Sequence, residues 1–318
     1  MTTQTTPPPS ASTATFRLDG VAPLAHLGVI QVTGEDAAKF IHGQLTQDFS
    51  LLDQHTARLA AFCSPKGRVL ATFIGFKHNA GSLLLVCSKD LLAATLKRLS
   101  MFVMRAKARL TDASDDFDLY GLAGNATKSI AEGAPSTWAK AEIDNCTVVN
   151  LYPADKQPRQ LCVAAAGSPP PAGALMSADT WLWGEVHSGV ATVSAPVVDA
   201  FVPQMLNFES VGGVNFKKGC YPGQEVVARS QFRGTLKRRA FVAHASVPMA
   251  CGLEIFGAED ASQPVATVVQ AAAAPAGGFD AIISGQVLAL ESGTLHLGSN
   301  DGPLLELLPL PYHLLADI

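Results

Sequence analysis

The sequence lacks an apolar run long enough to cross a membrane as a helix. Such a helix requires about 20 consecutive apolar residues, whereas the longest apolar runs here, such as 83–87, have the length of a strand. The first residues also lack the basic start and apolar stretch of a signal peptide, and the arginines of a transit peptide. We therefore predict that residues 1–15, rich in Thr, Ser and Pro, form a disordered tail on a cytoplasmic protein.

Paired cysteines are absent as well. No two of the six cysteines have the C-x-x-C spacing, and a structural zinc or an iron–sulfur cluster normally needs up to four converging ligands. The sequence therefore predicts no bound metal of the protein's own. A disulfide framework is typical of short secreted chains, which this sequence does not resemble. Cysteines 87, 146 and 162 lie in apolar or strand-like segments, where a thiol is usually a small buried hydrophobe.

Charged residues are scarce, and their distribution is uneven. Only 16% of the 318 residues are charged and 48% are hydrophobic, which indicates a globular protein with a substantial core. The net charge of −4 argues against a general polyanion binder. Seven of the 23 Lys and Arg residues nevertheless fall within 217–239, where Glu225 is the only acid: Lys217, Lys218, Arg229, Arg233, Lys237, Arg238 and Arg239. This basic segment is either a solvated face or a local site for phosphate, nucleic acid or a polycarboxylate.

The apolar patterns predict an α+β region, 16–236, followed by a small all-β domain, 237–318. In the first region we expect strands over 27–32, 68–76, 82–87, 118–123, 147–152 and 160–165. Helices are expected over 37–45, 92–103 (capped by Ser88), 125–132 and 178–187, and Thr33 with Asp36 resembles a capping box. In the second region the runs 240–245, 253–256, 265–269 and 282–290 predict strands without a helix, and 271–278 predicts an exposed loop.

The most informative chemistry surrounds Cys220. Gly219 and Gly223 flank it and permit backbone conformations closed to other residues, while Pro222 cannot extend a helix or a central strand. Cys220 is therefore predicted on a tight, partly exposed loop, where the adjacent lysines would favour the thiolate. Residues 224–229 could open a helix or a strand, in which Glu225 acts as a base or pairs with a lysine. The alternative is a cysteine in an ordinary surface turn.

Residues 218–225, KGCYPGQE, resemble the signature of the YgfZ-type folate-binding proteins, relatives of the glycine-cleavage aminomethyltransferase (T-protein). The resemblance continues along the chain. It includes GQLTQD at 43–48, PKGR at 65–68, FVPQ at 201–204 with Asn207, GGVNFK at 212–217, VAR at 227–229, FRG at 232–234 with Lys237 and Arg238, and LPY at 310–312. It therefore covers nearly the whole chain except the tail.

This resemblance implies two interwoven α+β parts and a C-terminal β-barrel around a central folate site. It implies a role in assembling or maintaining iron–sulfur enzymes, including enzymes that modify tRNA. The residues it implies for the working site are Cys220 as the key thiol, with Lys218, Tyr221, Gln224 and Glu225 around it. For the folate, it implies Trp181 against the pterin. The basic segment, with Arg229 and Arg233 as candidate cofactor-binding residues, could hold the glutamate tail of the folate or a partner's acidic face. Trp181 is alternatively a core residue of its helix.

Two departures from the family pattern bear on function. Leu27 stands where some relatives have a second tryptophan for the folate, and 67–72 lacks the acidic pair of the aminomethyltransferases. Aminomethyl transfer needs a carboxylate at the reacting centre, so the second departure argues against that reaction. The leading hypothesis is a tetrahydrofolate-binding accessory protein for iron–sulfur client enzymes. The alternatives are a folate-dependent one-carbon transferase with Cys220 as nucleophile and, less favoured by the charge, direct tRNA binding.

Overall fold

A computed structural model describes residues 17–79, 81–130, 136–232, 236–257 and 263–315. The predicted tail, 1–15, and Arg233 lie outside the described residues. Strands are numbered β1–β16 and helices α1–α5 along the chain. They form two five-stranded antiparallel sheets and a closed six-stranded barrel. No helix within the described ranges is long and apolar enough to cross a membrane.

The first sheet has the strand order β3-β4-β5-β2-β6. Its strands are β2 (Leu27–Thr33), β3 (Ala57–Cys63), β4 (Val69–Asn79), β5 (Ser82–Ser88) and β6 (Arg109–Asp112). Every residue of the central β5 is buried, which explains its nearly uninterrupted apolar sequence. Helices α1 (Ala37–His42) and α2 (Lys89–Ser100) contribute apolar side chains to the same hydrophobic cluster as this sheet.

The second sheet has the order β1-β7-β10-β9-β8. Its strands are β1 (Gly20–Pro23), β7 (Phe117–Ala123), β8 (Lys140–Ile143), β9 (Cys146–Asn150) and β10 (Arg159–Ala165). Strand β1 precedes the whole first sheet in the chain but pairs with β7 beyond it. The two sheets are therefore interwoven along the sequence, as predicted.

The barrel contains β11 (Arg238–Ala245), β12 (Glu254–Gly257), β13 (Ala266–Ala273), β14 (Phe279–Gln286), β15 (Leu295–Leu297) and β16 (Leu304–Leu308). Between β10 and the barrel the chain forms two further helices, α3 (Ala178–His187) and α4 (Gln224–Phe232). Helix α3 joins the barrel to the rest of the protein, because the indole of Trp183 and the imidazole of His187 both bind Asp280 of β14. The predicted α+β region followed by a β-barrel is confirmed.

Four local predictions were wrong, and tertiary contacts explain the first. Residues 124–126 form a single 3-10 turn, and the chain continues without helix to Ile130, while 131–132 lie outside the described residues. The side chain of Gln160 accepts from the backbone N–H of Lys128 and donates to its carbonyl, both at 2.7 Å. These groups are therefore satisfied by a distant side chain rather than by a helix.

The other three errors concern the barrel and the first helix. The run 282–290 is not one strand, because β14 ends at Gln286 and a short helix, α5 (Val287–Ser292), follows. The expected loop 271–278 is shorter, since β13 continues to Ala273, which pairs with Phe279. At α1 no capping box forms, because the Asp36 carboxylate accepts from the backbone of Lys107 at 2.8 Å.

Candidate functional site

The six cysteines differ sharply in exposure. Cys220 is exposed, Cys251 is partly exposed, and the other four are buried; all six are free thiols. The Cys220 thiol makes no hydrogen bond to any residue that the structure describes. A loop directly before α4 carries it, as the flanking glycines predicted. Cys220 is thus the cysteine most accessible to another molecule.

Lys218 fixes the start of this loop. Its side chain is buried, and its ammonium donates to the carbonyls of His42 and Leu45, the second at 2.8 Å. The same ammonium lies 4.7 Å from the ring centre of Tyr221, which is also buried. Burial lowers the pKa of Lys218 to about 8. Lys218 therefore anchors the loop to the end of α1 in addition to placing charge near the thiol.

An imidazole faces the same loop. His42 Nδ1 donates to the Asp48 carboxylate at 3.0 Å, and a Cβ placed on Gly219 would lie 3.4 Å from His42 Nε2. Burial would raise the pKa of Asp48, but hydrogen bonds from Ser50 and Leu51, together with His42, lower it. Nδ1 of His42 therefore faces the carboxylate, while Nε2 faces the loop. The GQLTQD motif at 43–48 includes Asp48 but not His42, and no role was predicted for either residue.

The remaining residues of the motif begin α4. Gln224 is half-buried in its first turn, and Glu225 is exposed there. Within the described ranges Glu225 forms no ion pair, so of its two expected roles the structure does not support the pairing with a lysine. Tyr221 packs beneath the loop, and burial raises the pKa of its phenol. Cys220 is therefore held by buried neighbours, while Glu225 faces solvent.

Two glycines join this loop to the PKGR turn at 65–68. Gly223 has φ of +79°, and Gly67 has φ of +71°. A Cβ on Gly223 would come within 2.6 Å of the Gly67 Cα, and a Cβ on Gly67 would come within 2.8 Å of Val226. Only glycine permits both the backbone conformation and this close approach. The two sequence motifs are therefore parts of one packed unit.

Replacing Gly223 with alanine should destabilise the protein by about 2 kcal/mol or more, because a left-handed conformation alone costs about 1–2 kcal/mol. Denaturant unfolding would measure the change in free energy. Gly81→Ala is the matched control, since its Cβ would meet no atom within 4 Å. The control should be neutral, or stabilising by up to about 1 kcal/mol. Equal effects of the two substitutions would show that the contact between the two motifs contributes nothing.

A cleft opens between the two sheets and α3. The cavity itself is narrow, about 60 Å³, and the space including the open solvent at its mouth is about 630 Å³. Its walls are mostly apolar and aromatic: Leu24, Leu27, Leu59, Thr72, Phe73, Ile74, Val86, Cys87, Trp138, Leu151, Tyr152, Leu161, Trp181, Ser188, Val190, Ala191 and Thr192. Two charged residues complete the lining, Arg159 and Glu185. This combination is typical of a small-molecule site.

Glu185 is the only acid that lines the cleft in the described part of the chain. One carboxylate oxygen accepts from Trp181 Nε1 at 2.8 Å and from His26 Nε2 at 3.1 Å, and the other accepts from Gln270 at 2.8 Å. Burial would raise the pKa of Glu185, but His26, Arg159 and the indole lower it. Glu185 is therefore ionised at neutral pH and presents an anion to the cleft.

Arg159 places a buried cation beside it. The guanidinium lies 4.2 Å from the ring centre of Trp181, and burial lowers its pKa to about 10. Among the described residues its buried Nε–H has no hydrogen-bond partner, and its side chain makes one hydrogen bond, to the carbonyl of Tyr152, which is long at 3.5 Å. An unpaired buried donor is costly. Arg159 thus has hydrogen-bonding capacity for a ligand.

The structure separates the predicted folate residues. Trp181 lies in the cleft wall but is only 1% exposed, and its ring packs against Gly121 as well as Arg159. It is therefore a core residue whose side chain also shapes the cleft. Leu27, which stands at the position of the second tryptophan expected from the family resemblance, lines the cleft. Arg229 does not line it. Sequence analysis missed Glu185 and Arg159, since no local pattern marks residues that meet only through the tertiary fold.

The His26–Glu185 pair predicts a pH dependence. Burial would lower the pKa of His26, but the hydrogen bond and charge of Glu185 raise it above the ordinary 6.5. The pair should therefore stabilise the fold fully below pH 6.5 and lose this contribution as the pH rises through the folded pKa. The difference in unfolding free energy between wild type and His26→Asn should be larger at about pH 5.5 than at about pH 8.5. A difference independent of pH would contradict this.

No family model matches the chain. Among curated proteins it is 31% identical over 228 residues to the tRNA-modifying protein YgfZ of Hamiltonella defensa, covering 67% of this chain and 66%, about two thirds, of that protein. It is 29% identical over 228 residues to the protein of that name in Colwellia psychrerythraea, covering 69% of each. For Cronobacter sakazakii the identity is 29% over 249 residues, covering 73% of each.

The fold also matches a solved structure. Glycine cleavage system aminomethyltransferase T from Bartonella henselae superposes with a TM-score of 0.64 over 92% of this chain and 85% of that chain. At 13% sequence identity, this likeness shows the fold alone.

Proposed function

Because the chain belongs to the YgfZ family, we propose that it is a folate-binding accessory protein. It supports the assembly or repair of iron–sulfur clusters in client enzymes, including enzymes that modify tRNA, and it acts through Cys220. The observation that carries the proposal is the separation of the two sites. The exposed thiol lies outside the lining of the cleft, so it is available to a protein partner rather than to a ligand in the cleft.

The polar residues of the cleft fit a reduced pterin. The amino-pyrimidinone edge of a pterin offers adjacent N–H donors and a carbonyl acceptor. The Glu185 carboxylate is a suitable acceptor for these donors, and the unpaired Nε–H of Arg159 is a suitable donor for the carbonyl. The apolar walls exclude water from the rest of the ring. Tetrahydrofolate, when bound, supplies a carrier for one-carbon units.

Trp181 has an indirect role in this proposal. Its indole N–H holds one Glu185 oxygen, and its ring supports the Arg159 guanidinium. It therefore positions the two charged groups and shapes the wall. His26 and Gln270 fix the carboxylate from the other side.

At the loop, His42 and Asp48 supply the means to ionise Cys220. The acceptor Nε2 of His42 faces the loop, and Asp48 holds the imidazole in that tautomer. We assign His42 the role of proton acceptor for the thiol, which leaves a thiolate. A thiolate can donate a lone pair to the iron of a cluster, a coordination bond that forms without an oxidant.

The second candidate is the folate-dependent one-carbon transferase, since a folate bound in the cleft would carry one-carbon units. The cleft argues against it. Among the described residues its only carboxylate is Glu185, which three side chains already hold, so no second acid is available to handle a proton at the reacting centre. Cys220, the proposed nucleophile, is not in the lining.

Complementation tests the proposal. The chain would be expressed in a bacterial strain that lacks its own family member, and cluster-dependent tRNA thiolation would be measured. Restored thiolation supports the accessory role. Failure to restore it, with protein present at normal levels, would overturn it. Release of a one-carbon unit from a folate substrate by the purified protein would favour the transferase instead.

A further inference from the structure

A second pocket lies between α4 and the start of the barrel. It has a volume of about 480 Å³ and opens to solvent. Its polar lining includes three cations, Arg229 of α4 with Lys237 and Arg238 at the start of β11, together with Ser230, Gln204 and Gln286. The other lining residues are apolar. This pocket shares no lining residue with the cleft. We call it the basic pocket.

The charge of the basic pocket is not balanced. Among the described residues no carboxylate lines it, and Arg229, Lys237 and Arg238 form no ion pair. Arg68 is a fourth cation near this pocket. Burial and the charge of Arg68 both lower the pKa of Arg238. The next residue, Arg239, shows the contrast. Its side chain lies on the opposite face of the strand and binds the Glu209 carboxylate at 2.7 Å.

Gln204 provides a separate observation in the same pocket. Its side chain is fully buried, and its amide N–H donates to the carbonyl of Val227 at 2.7 Å. Its oxygen, Oε1, has no hydrogen-bond partner in the part of the chain that the structure describes. A buried acceptor left without a donor is costly, and a bound molecule with a hydroxyl or a protonated oxygen would satisfy it.

We propose that the basic pocket binds the phosphate group of a small phosphorylated ligand, held by Arg229, Lys237 and Arg238. Guanidinium and ammonium groups that line one pocket can pair with the several oxygens of a phosphate. The pocket is a concave site rather than an extended strip, and the protein carries a net charge of −4, so a long nucleic acid fits it poorly. The basic pocket is also distinct from the cleft proposed for the pterin ring, because the two share no lining residue.

Calorimetric titration of the full chain with inorganic pyrophosphate tests this proposal. Saturable binding to the wild type is expected. Arg238→Gln should weaken it by at least about tenfold, since each charge-assisted hydrogen bond contributes at least that factor. Lys237→Gln, at an exposed position, should also weaken it and serves if the first variant is unstable. Arg105→Gln is the matched control, because Arg105 is exposed and does not line the pocket, and it should change nothing.

Several outcomes would overturn the proposal. These are no saturable pyrophosphate binding, or equal binding by Arg238→Gln and Arg105→Gln. Tighter binding of a triglutamate peptide than of pyrophosphate would assign the pocket to a folate tail. Binding of a single-stranded RNA without binding of pyrophosphate would assign it to nucleic acid. The titration measures anion binding and not tRNA thiolation. A failure of the phosphate proposal therefore leaves the proposed function standing, and a failure of the complementation experiment leaves the phosphate proposal standing.

Discussion

In the complementation experiment, the Cys220→Ser variant should leave tRNA thiolation at the level found in the strain without the protein. The substitution keeps the size of the side chain but removes the thiolate, and a serine hydroxyl neither ionises near neutral pH nor binds iron comparably. The fold should be unaffected, because the side chain is exposed and makes no hydrogen bond to any described residue. Thiolated nucleosides in bulk tRNA would be measured at matched protein levels.

Cys251→Ser is the matched control for this experiment. Cys251 is a free, partly exposed thiol that lies outside the 218–225 motif. It should restore thiolation as well as the wild type does. If Cys220→Ser also restored thiolation fully, the thiol would be structural, and the proposal that the protein acts through Cys220 would be wrong.

The neighbours of Cys220 show what a sequence can and cannot predict about a site. The flanking glycines and Pro222 correctly predicted an exposed loop, because these residues restrict the backbone wherever they occur. Lys218 was interpreted only as a charge beside the thiol, yet its ammonium binds two backbone carbonyls about 175 residues earlier in the chain. The His42–Asp48 pair faces the loop only because α1 packs there. Such contacts depend on tertiary structure and leave no local pattern.

The fold shows the same division. Strand β5 and helix α3 were predictable because their apolar patterns reflect burial within single elements. The segment after Gly124 was not, because the side chain of Gln160 replaces the hydrogen bonds that a helix would have made. In the cleft, α3 brings Glu185 next to Arg159 of β10. A spacing rule within one element cannot find a pair of this kind.

The structure divides the basic segment, 217–239, which the sequence presents as one feature. Lys218 is buried against backbone carbonyls, and Arg239 is buried against Glu209. Arg229 and Arg238 line the basic pocket. Neither a uniformly solvated face nor one continuous polyanion site describes this arrangement. We expect substitutions within the segment to have distinct effects on folding and on anion binding.

Replacing Glu185 with glutamine should weaken the binding of a tetrahydrofolate by about 10- to 100-fold, since a hydrogen bond to a charged group contributes about 1.5–3 kcal/mol. Glutamine keeps the shape of the side chain and can still accept from Trp181. It removes the negative charge that the pterin N–H groups would meet, and leaves Arg159 without a counter-charge. Fluorescence titration of the purified protein with a tetrahydrofolate derivative would measure the dissociation constant.

Glu306→Gln is the matched control, because Glu306 is exposed on β16 and does not line the cleft. It should bind the folate as tightly as the wild type does. Circular dichroism and thermal unfolding would establish that Glu185→Gln remains folded, and Arg159→Gln provides a second variant if it does not. Wild-type affinity in a folded Glu185→Gln protein would mean that the pterin does not use this carboxylate. The folate site would then have to lie elsewhere, because no other acid of the described residues lines this cleft.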